Sequence, residues 1–298
     1  MFKKLRNKIE SKRGSKSLFW KIFVLIKDFL WNIYLYSGWF YKYLRMYFYL
    51  FLSYFGFDNS KSKKFVILAS ARTGSTLLCN LLNSDPKITC YFEVFNPSNP
   101  DLEYLVTKRY RRDYPERFIQ RIWDFSSKSK IVGFKLLFFH NKRALDFILK
   151  NQIIKKIILK RKNKIRQYIS YEMVKKTKIW GIFKGEEDKI KLIKVKIDIN
   201  HMLEQIKKND LKYKESMDIL NRSKQDFLEI YYEDLIGEKK DNLLFKVLEF
   251  IGCRNRDISQ LKNKLIKMNP YSLKEIILNF NEVEKRLKNT KFEWMLYV

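Results

Sequence analysis

The feature that most constrains this chain is one strand-to-helix junction. Phe65-Val-Ile-Leu-Ala69 is apolar at every position. It runs directly into Ser70-Ala-Arg-Thr-Gly-Ser-Thr76, after which leucines recur at helical spacing as far as Leu82. A strand that is apolar throughout, and not only at alternate positions, has to be covered on both faces, as a central strand of a parallel sheet is. The same alternation of strand and helix signals returns along the chain. Ile131-Val-Gly-Phe-Lys135 is a second strand candidate, and Lys156 to Lys160 is a third that feeds a helix from about Lys164 to Lys176. Phe227 to Tyr232 is a fourth, followed by a helix from Glu238 to Ile251 with Gly252 as its stop. This order predicts an α/β fold: a central, mostly parallel sheet between helices on both faces, three layers in all. The Lys-rich stretch from Lys189 to Asn200 alternates only in part, and both strand and helix stay open there.

Residues 1–58 follow another pattern. Lys3, Lys4, Arg6, Lys8, Lys12, Arg13 and Lys16 make a basic head, and an aromatic-rich stretch from Phe19 to Phe57 follows, interrupted by Lys21, Lys27, Asp28, Lys42 and Arg45. The uncharged run from Phe29 to Tyr41 falls short of the roughly 20 residues a simple membrane span needs, and no cleavable signal is expected. The pattern predicts an N-terminal helical, aromatic-rich segment lying on an anionic membrane surface, with Trp and Tyr at headgroup depth. Two readings compete with it: a signal anchor that would carry the rest of the chain across the membrane, and a helical hairpin packed on the main domain. The polar run Asn59 to Lys64 reads as a linker, which makes residues 64–298 the main domain and the expected location cytoplasmic and peripherally membrane-associated.

The chain carries 62 Lys and Arg against 32 Asp and Glu, a formal charge of +30. Such an excess fits an acidic ligand, an anionic membrane or nucleic acid, but no nucleic-acid-binding signature accompanies it, so nucleic acid is not an expected partner. Biased codon usage would produce much of the lysine content by itself. Cys79, Cys90 and Cys253 show no CxxC spacing, and the only histidines are His140 and His201. No metal site is expected from that set, and the sparse thiols suit a reducing compartment.

The junction itself carries chemistry. Between a strand and its helix, backbone N–H groups and the helix dipole converge on an anion. Gly74 allows a tight turn, Ser75 and Thr76 offer hydroxyls, and Arg72 offers a fixed cation with a fork of donors. The phosphate-binding loop of nucleoside triphosphatases is a natural comparison, but its first glycine and its lysine before Ser/Thr are both missing.

The run from Ser70 to Pro86, Ser-Ala-Arg-Thr-Gly-Ser-Thr-Leu-Leu-Cys-Asn-Leu-Leu-Asn-Ser-Asp-Pro, resembles the 5′-phosphosulfate loop of bacterial carbohydrate sulfotransferases of the Stf0 and lipopolysaccharide types. Three later blocks extend the resemblance. Phe92-Glu-Val-Phe-Asn-Pro97 is similar to the family's acidic segment with a proposed base, and Lys130 to Lys135 is similar to its Gly-Phe-Lys strand. Leu159-Lys-Arg-Lys-Asn-Lys-Ile-Arg-Gln-Tyr-Ile-Ser170 is similar to its 3′-phosphate element. Tyr232-Glu-Asp-Leu235, Phe250-Ile-Gly252 and the tail Asn279 to Leu296 follow in the family's order. The resemblance implies a P-loop-kinase-like fold and sulfuryl transfer from PAPS (3′-phosphoadenosine 5′-phosphosulfate) to a hydroxyl of a carbohydrate or glycolipid.

By the same resemblance, Arg72, Thr73, Gly74, Ser75 and Thr76 would hold the 5′-phosphate, and Arg161 and Ser170 the 3′-phosphate, with Lys162 an alternative to Arg161. Arg72 and Lys135 are the candidates for neutralising the sulfuryl group. Glu93, read as a carboxylate just after an apolar strand, is the leading general base, and His140 is the alternative. Two other functions remain open: a membrane- or polyanion-binding protein that keeps the fold without turnover, and a nucleotide kinase. The cluster Lys108, Arg109, Arg111 and Arg112 is either a contact for an anionic acceptor or a solvated face.

Overall fold

The apolar strand of the junction lies at the centre of the sheet. A computed structural model describes residues 62–96, 110–124, 130–253, 258–263 and 265–298. The expectations for residues 1–58 and for Lys108 and Arg109 lie outside the described residues. In chain order the strands are β1 (Lys63–Ala69), β2 (Ile88–Glu93), β3 (Ile131–Leu137), β4 (Lys155–Lys160) and β5 (Phe227–Tyr231). The helices are α1 (Ser75–Asn83), α2 (Pro115–Asp124), α3 (Lys142–Lys150), α4 (Lys164–Thr177), α5 (Ile199–Arg222), α6 (Tyr232–Ile236), α7 (Lys240–Phe250), α8 (Leu273–Ile276) and α9 (Phe280–Leu287).

The strands form one sheet in the order β2-β3-β1-β4-β5, and every pairing is parallel. Residues Phe65 to Ala69 are all fully buried, each large side chain contributing about 1.5–3 kcal/mol over exposure, which suits a central strand and no edge. Their side chains alternate between two cores. Phe65, Ile67 and Ala69 pack with Leu78, Leu81 and Leu82 of α1 and with Leu244, Val247 and Leu248 of α7. Val66 and Leu68 face Phe118, Ile119 and Trp123 of α2, Ala144 and Ile148 of α3, and Leu220 of α5. Helices therefore cover both faces, giving a three-layer α/β fold around a parallel sheet. Gly133 in β3 lets this core close: a Cβ there would lie 2.5 Å from the Phe65 ring.

A third core joins Ile165, Ile169 and Met173 of α4 to Met202 and Ile206 of α5, to Leu273 and Val283 of α8 and α9, and to Leu296. It fixes α4 from the C-terminal side. Asn163 helps: its side-chain oxygen accepts from the Arg166 N–H, and its amide donates to the Met295 carbonyl. The stretch after Lys189, left open between strand and helix, is neither. Val195 and Ile197 are buried between exposed lysines, but they contribute only one isolated parallel bridge, Val195 to Ile277, before α5 begins. No helix of the described residues is long and apolar enough to cross a membrane.

Candidate active site

Leaving β1, the chain turns through two left-handed residues, Arg72 at φ 63° and Gly74 at φ 83°. Glycine is required at the second: a Cβ on Gly74 would lie 2.4 Å from the ring of Tyr232. Side chains from distant elements hold the loop's backbone. Tyr213 of α5 accepts from the Ser70 N–H at 2.9 Å and donates to the Leu159 carbonyl at 2.7 Å, linking the ends of β1 and β4. Gln167 of α4 donates to the Ala71 carbonyl at 2.7 Å, Arg161 donates to the Arg72 carbonyl at 3.1 Å, and Thr73 donates back to the Ser70 carbonyl. The loop's carbonyls are thus occupied. The N–H groups of Gly74, Ser75 and Thr76, at the start of α1, have no acceptor among the described residues, which leaves a row of donors at the positive end of a helix dipole.

The loop after β4 meets this one directly. The Arg72 Nε donates to the Ser170 hydroxyl at 3.0 Å, and its other two nitrogens reach the Trp180 carbonyl at 2.7 Å and the Met268 sulfur at 3.1 Å. The Arg161 guanidinium lies 4.6 Å above the Tyr232 ring, with its Nε buried and unpartnered. No carboxylate pairs with Arg72 or Arg161 among the described residues. Burial pulls the Arg72 pKa down to about 10, and the Arg161 charge adds to the effect. Burial lowers Arg161 as well, and Lys267 is lowered by burial and then by the Arg166 and Arg161 charges. The cations of this pocket have no carboxylate in ion-pair contact among the described residues; Glu93 acts on Arg72, and Glu233 on Arg161, only from further off.

On the other side of the loop the charges balance. Lys135 of β3 is only 3% exposed; it donates to the Thr76 hydroxyl at 2.7 Å and pairs with Glu93 Oε1 at 2.8 Å. The sheet register brings this pair together. β2 and β3 run in step from Ile88 to Tyr91, then slip by one residue, so that Glu93 and not Phe92 stands opposite Lys135. Glu93 is therefore the last residue of its strand, not the residue after it. Asn96 donates to Glu93 Oε2 at 2.6 Å, and His140 Nε2 lies 3.7 Å from the same oxygen. Burial pushes the Glu93 carboxyl up, but the Lys135 charge and hydrogen bond, with Asn96, bring it below its ordinary value. Burial drives His140 down to about 4, Lys135 and Arg111 reinforcing this against Glu93, and its Nδ1 is buried without a partner. The imidazole is neutral at pH 7.

The structure thus brings Arg72, Thr73, Gly74, Ser75 and Thr76 together with Arg161 and Ser170, and places Lys135, Glu93 and His140 beside them through Thr76. Lys162, the alternative to Arg161, turns elsewhere, pairing with Asp234 at 2.8 Å. Arg111 needs a correction. It is neither a solvated cation nor open to a ligand: it is 4% exposed and donates to the carbonyls of Val94 and Asn96, bracing the segment that carries Glu93. Arg112, by contrast, is exposed and pairs with Asp113. Sequence reasoning missed Tyr213, Tyr232 and Gln167. Only Tyr232 left a signal, as an aromatic residue at a strand end before Glu-Asp.

No protein-family model matches the chain, and no curated protein matches it either. Solved structures similar to it include a sulfotransferase from Alicyclobacillus acidocaldarius, 16% identical, covering 76% of this chain and 94% of that one, with a TM-score of 0.43. The sulfotransferase domain from the curacin biosynthetic pathway is 15% identical over 79% of this chain and 89% of its own, at a TM-score of 0.42. The sulfotransferase domain of the Synechococcus PCC 7002 olefin synthase is 15% identical over 80% and 88%, also at 0.42. At that depth of likeness neither fold nor activity follows from the resemblance; both have to come from the side chains.

Proposed function

We propose that this chain is a sulfotransferase that takes a sulfuryl group from PAPS and places it on a hydroxyl of a carbohydrate or glycolipid. The observation that carries the reading is the hydrogen bond from Arg72 to Ser170, which joins two anion cradles at the ends of adjacent strands. Half-buried guanidiniums with no carboxylate in contact suit an anion from outside, and two such cradles side by side suit a nucleotide with phosphates at both ends of its ribose. The start of α1, the Thr76 hydroxyl and Arg72 would hold the 5′-phosphosulfate, and Arg161 and Ser170 the 3′-phosphate, with Arg72 tying the two cradles together through Ser170.

Transfer is in line. The acceptor oxygen forms a bond to sulfur as the bond from sulfur to the 5′-phosphate oxygen breaks, and the nucleotide leaves as the bisphosphate PAP. Lys135 neutralises charge on the bridging oxygen, and Glu93 takes the hydroxyl proton. The two roles are coupled. As Lys135 turns from Glu93 to the departing oxygen, the carboxylate loses the interaction that depresses it and gains basicity when the proton has to move. His140, neutral and 3.7 Å from Glu93, is the alternative base.

The test is incubation of the protein with radiolabelled PAPS and crude glycan and lipid extracts. Labelled product with stoichiometric PAP release is the expected result. Tight PAP binding with no release from any acceptor would favour a binding protein without turnover, and ATP affinity without PAP affinity would favour a kinase. The basic, aromatic residues 1–58 are assigned to an anionic membrane surface; unchanged pelleting with anionic liposomes after their deletion would remove that assignment.

A further inference from the structure

A cleft of about 860 Å³ lies between α4 and α5, within the roughly 300–1,000 Å³ of small-ligand sites. Three features give it a chemistry. First, it borders the donor cradles: its wall includes Ala71 and Arg161, and also Phe139, whose ring edges against His140 with centroids 4.8 Å apart. Second, its walls mix exposed rings with hydrogen-bonding side chains. Phe139 is 60% exposed and Tyr171 is 37% exposed, and Gln205, Asn209 and His201 line the α5 side. Ring faces that can cover C–H groups, set among amides, suit a sugar better than a flat apolar ligand. Third, seven lysine and arginine side chains face three carboxylates across it. Lys164 is neutralised by Asp210 at 2.7 Å, an ion pair that ties the two walls together, whereas Lys212 and Lys214 have no carboxylate partner among the described residues.

We infer that this cleft is the acceptor site and that the acceptor is an acidic carbohydrate chain, stacked on Phe139 and Tyr171 and held by charge on Lys212 and Lys214. The inference rests on the donor reading above for which end of the cleft is reactive. Lys160, Lys162 and Lys175, like Lys164, are ion-paired, so Lys212 and Lys214 with Arg161 supply the excess positive charge that would attract anionic groups on the sugar and add affinity and capture rate.

The test titrates the full chain, with and without PAP, with oligogalacturonate and with malto-oligosaccharide of equal length, as acidic and neutral sugars, and with polyglutamate as an acidic non-sugar. Oligogalacturonate should bind at least about tenfold more tightly than either of the others. Tyr171→Ala, and separately Lys212→Ala with Lys214→Ala, should each weaken it about tenfold while leaving PAP affinity as it was. Equal binding of the neutral sugar or of polyglutamate overturns the inference, and so does full affinity in both variants. Failure of PAP to bind at all would overturn the donor reading instead, and the sugar titration without PAP would still decide the cleft.

Discussion

On the β3 side of the loop after β1, Lys135 has its counter-charge in contact at 2.8 Å; on the β4 side, Arg72 and Arg161 lie together with no carboxylate in contact among the described residues. Both regions bury cations in the same fold, but they solve the electrostatics in opposite ways. A charge taken out of water costs several kcal/mol unless it is paired, so the balanced side is complete in itself and the unbalanced side is not. A complete ion pair next to a neutral histidine is a device for holding and releasing a proton. An incomplete one is a device for capturing an anion. Under the proposed function, this difference would put the chemistry at β2 and β3 and the nucleotide at β1 and β4.

The comparison can be broken from either side. Glu93→Gln should lower kcat by roughly 10²–10⁴-fold, as expected for loss of a general base, with PAP affinity unchanged by calorimetry. The acid limb of kcat/KM should also lie below the ordinary carboxylate range, because Lys135 and Asn96 hold the Glu93 pKa down against its burial. Arg161→Ala should do the reverse, costing roughly 2–4 kcal/mol of PAP binding, while Ser170→Ala, which removes a neutral partner, should cost about tenfold in affinity. Stability should separate the sides too. Lys135→Met leaves Glu93 without its cation and should cost about 2–3 kcal/mol in denaturant unfolding; this is below the cost for a fully buried pair because Glu93 is 22% exposed. Arg72→Met removes a cation with no ion-pair partner but breaks its hydrogen bonds to Ser170 and the Trp180 carbonyl, and should cost less than Lys135→Met, about 1 kcal/mol.

Two smaller effects sharpen the picture. Gly74→Ala forces a Cβ into a left-handed turn against Tyr232 and should lower stability by about 1–2 kcal/mol, with part of the loss recovered when Tyr232→Ala is added. Lys156 tests burial without function. It is fully buried in β4, with its ammonium bonded to the Asn151 carbonyl and Gln225, and burial, then the Lys155 charge, lowers its pKa from 10.5 to about 8. The unfolded chain keeps a proton that the folded one gives up, so stability should rise with pH between about 8 and 10.5, and Lys156→Met should flatten that rise.

What the sequence disclosed follows from how local each signal is. β1, Gly74 and α1 were legible because an unbroken apolar run, a turn residue and a leucine repeat all lie within twenty residues of one another. Arg161 and Ser170 could be picked out only through the resemblance of their block, because by itself a strand end followed by a basic helix face is common in a lysine-rich chain. α5 was not. Its buried residues Met202, Ile206, Tyr213 and Leu220 are scattered among lysines, and the apolar stripe is thin because part of that helix lines an open cleft. Tyr213 acts on Ser70 from 143 residues away, and Tyr232 acts on Gly74 and Arg161 only once β5 is in place. The slip that sets Glu93 opposite Lys135 is likewise a property of paired strands, which no single strand records. Charge content misled most easily: Lys135, Lys156 and Arg111 are among the least exposed side chains in a chain of net charge +30.

The most direct test compares PAP with ADP by titration calorimetry on the full chain. Both ligands carry two phosphates on adenosine, but only PAP places them at opposite ends of the ribose. The account predicts PAP binding at least about 100-fold tighter, roughly 2.7 kcal/mol, with most of that margin lost in Arg161→Ala. ADP binding as tightly as PAP, or a margin that survives Arg161→Ala, would contradict it.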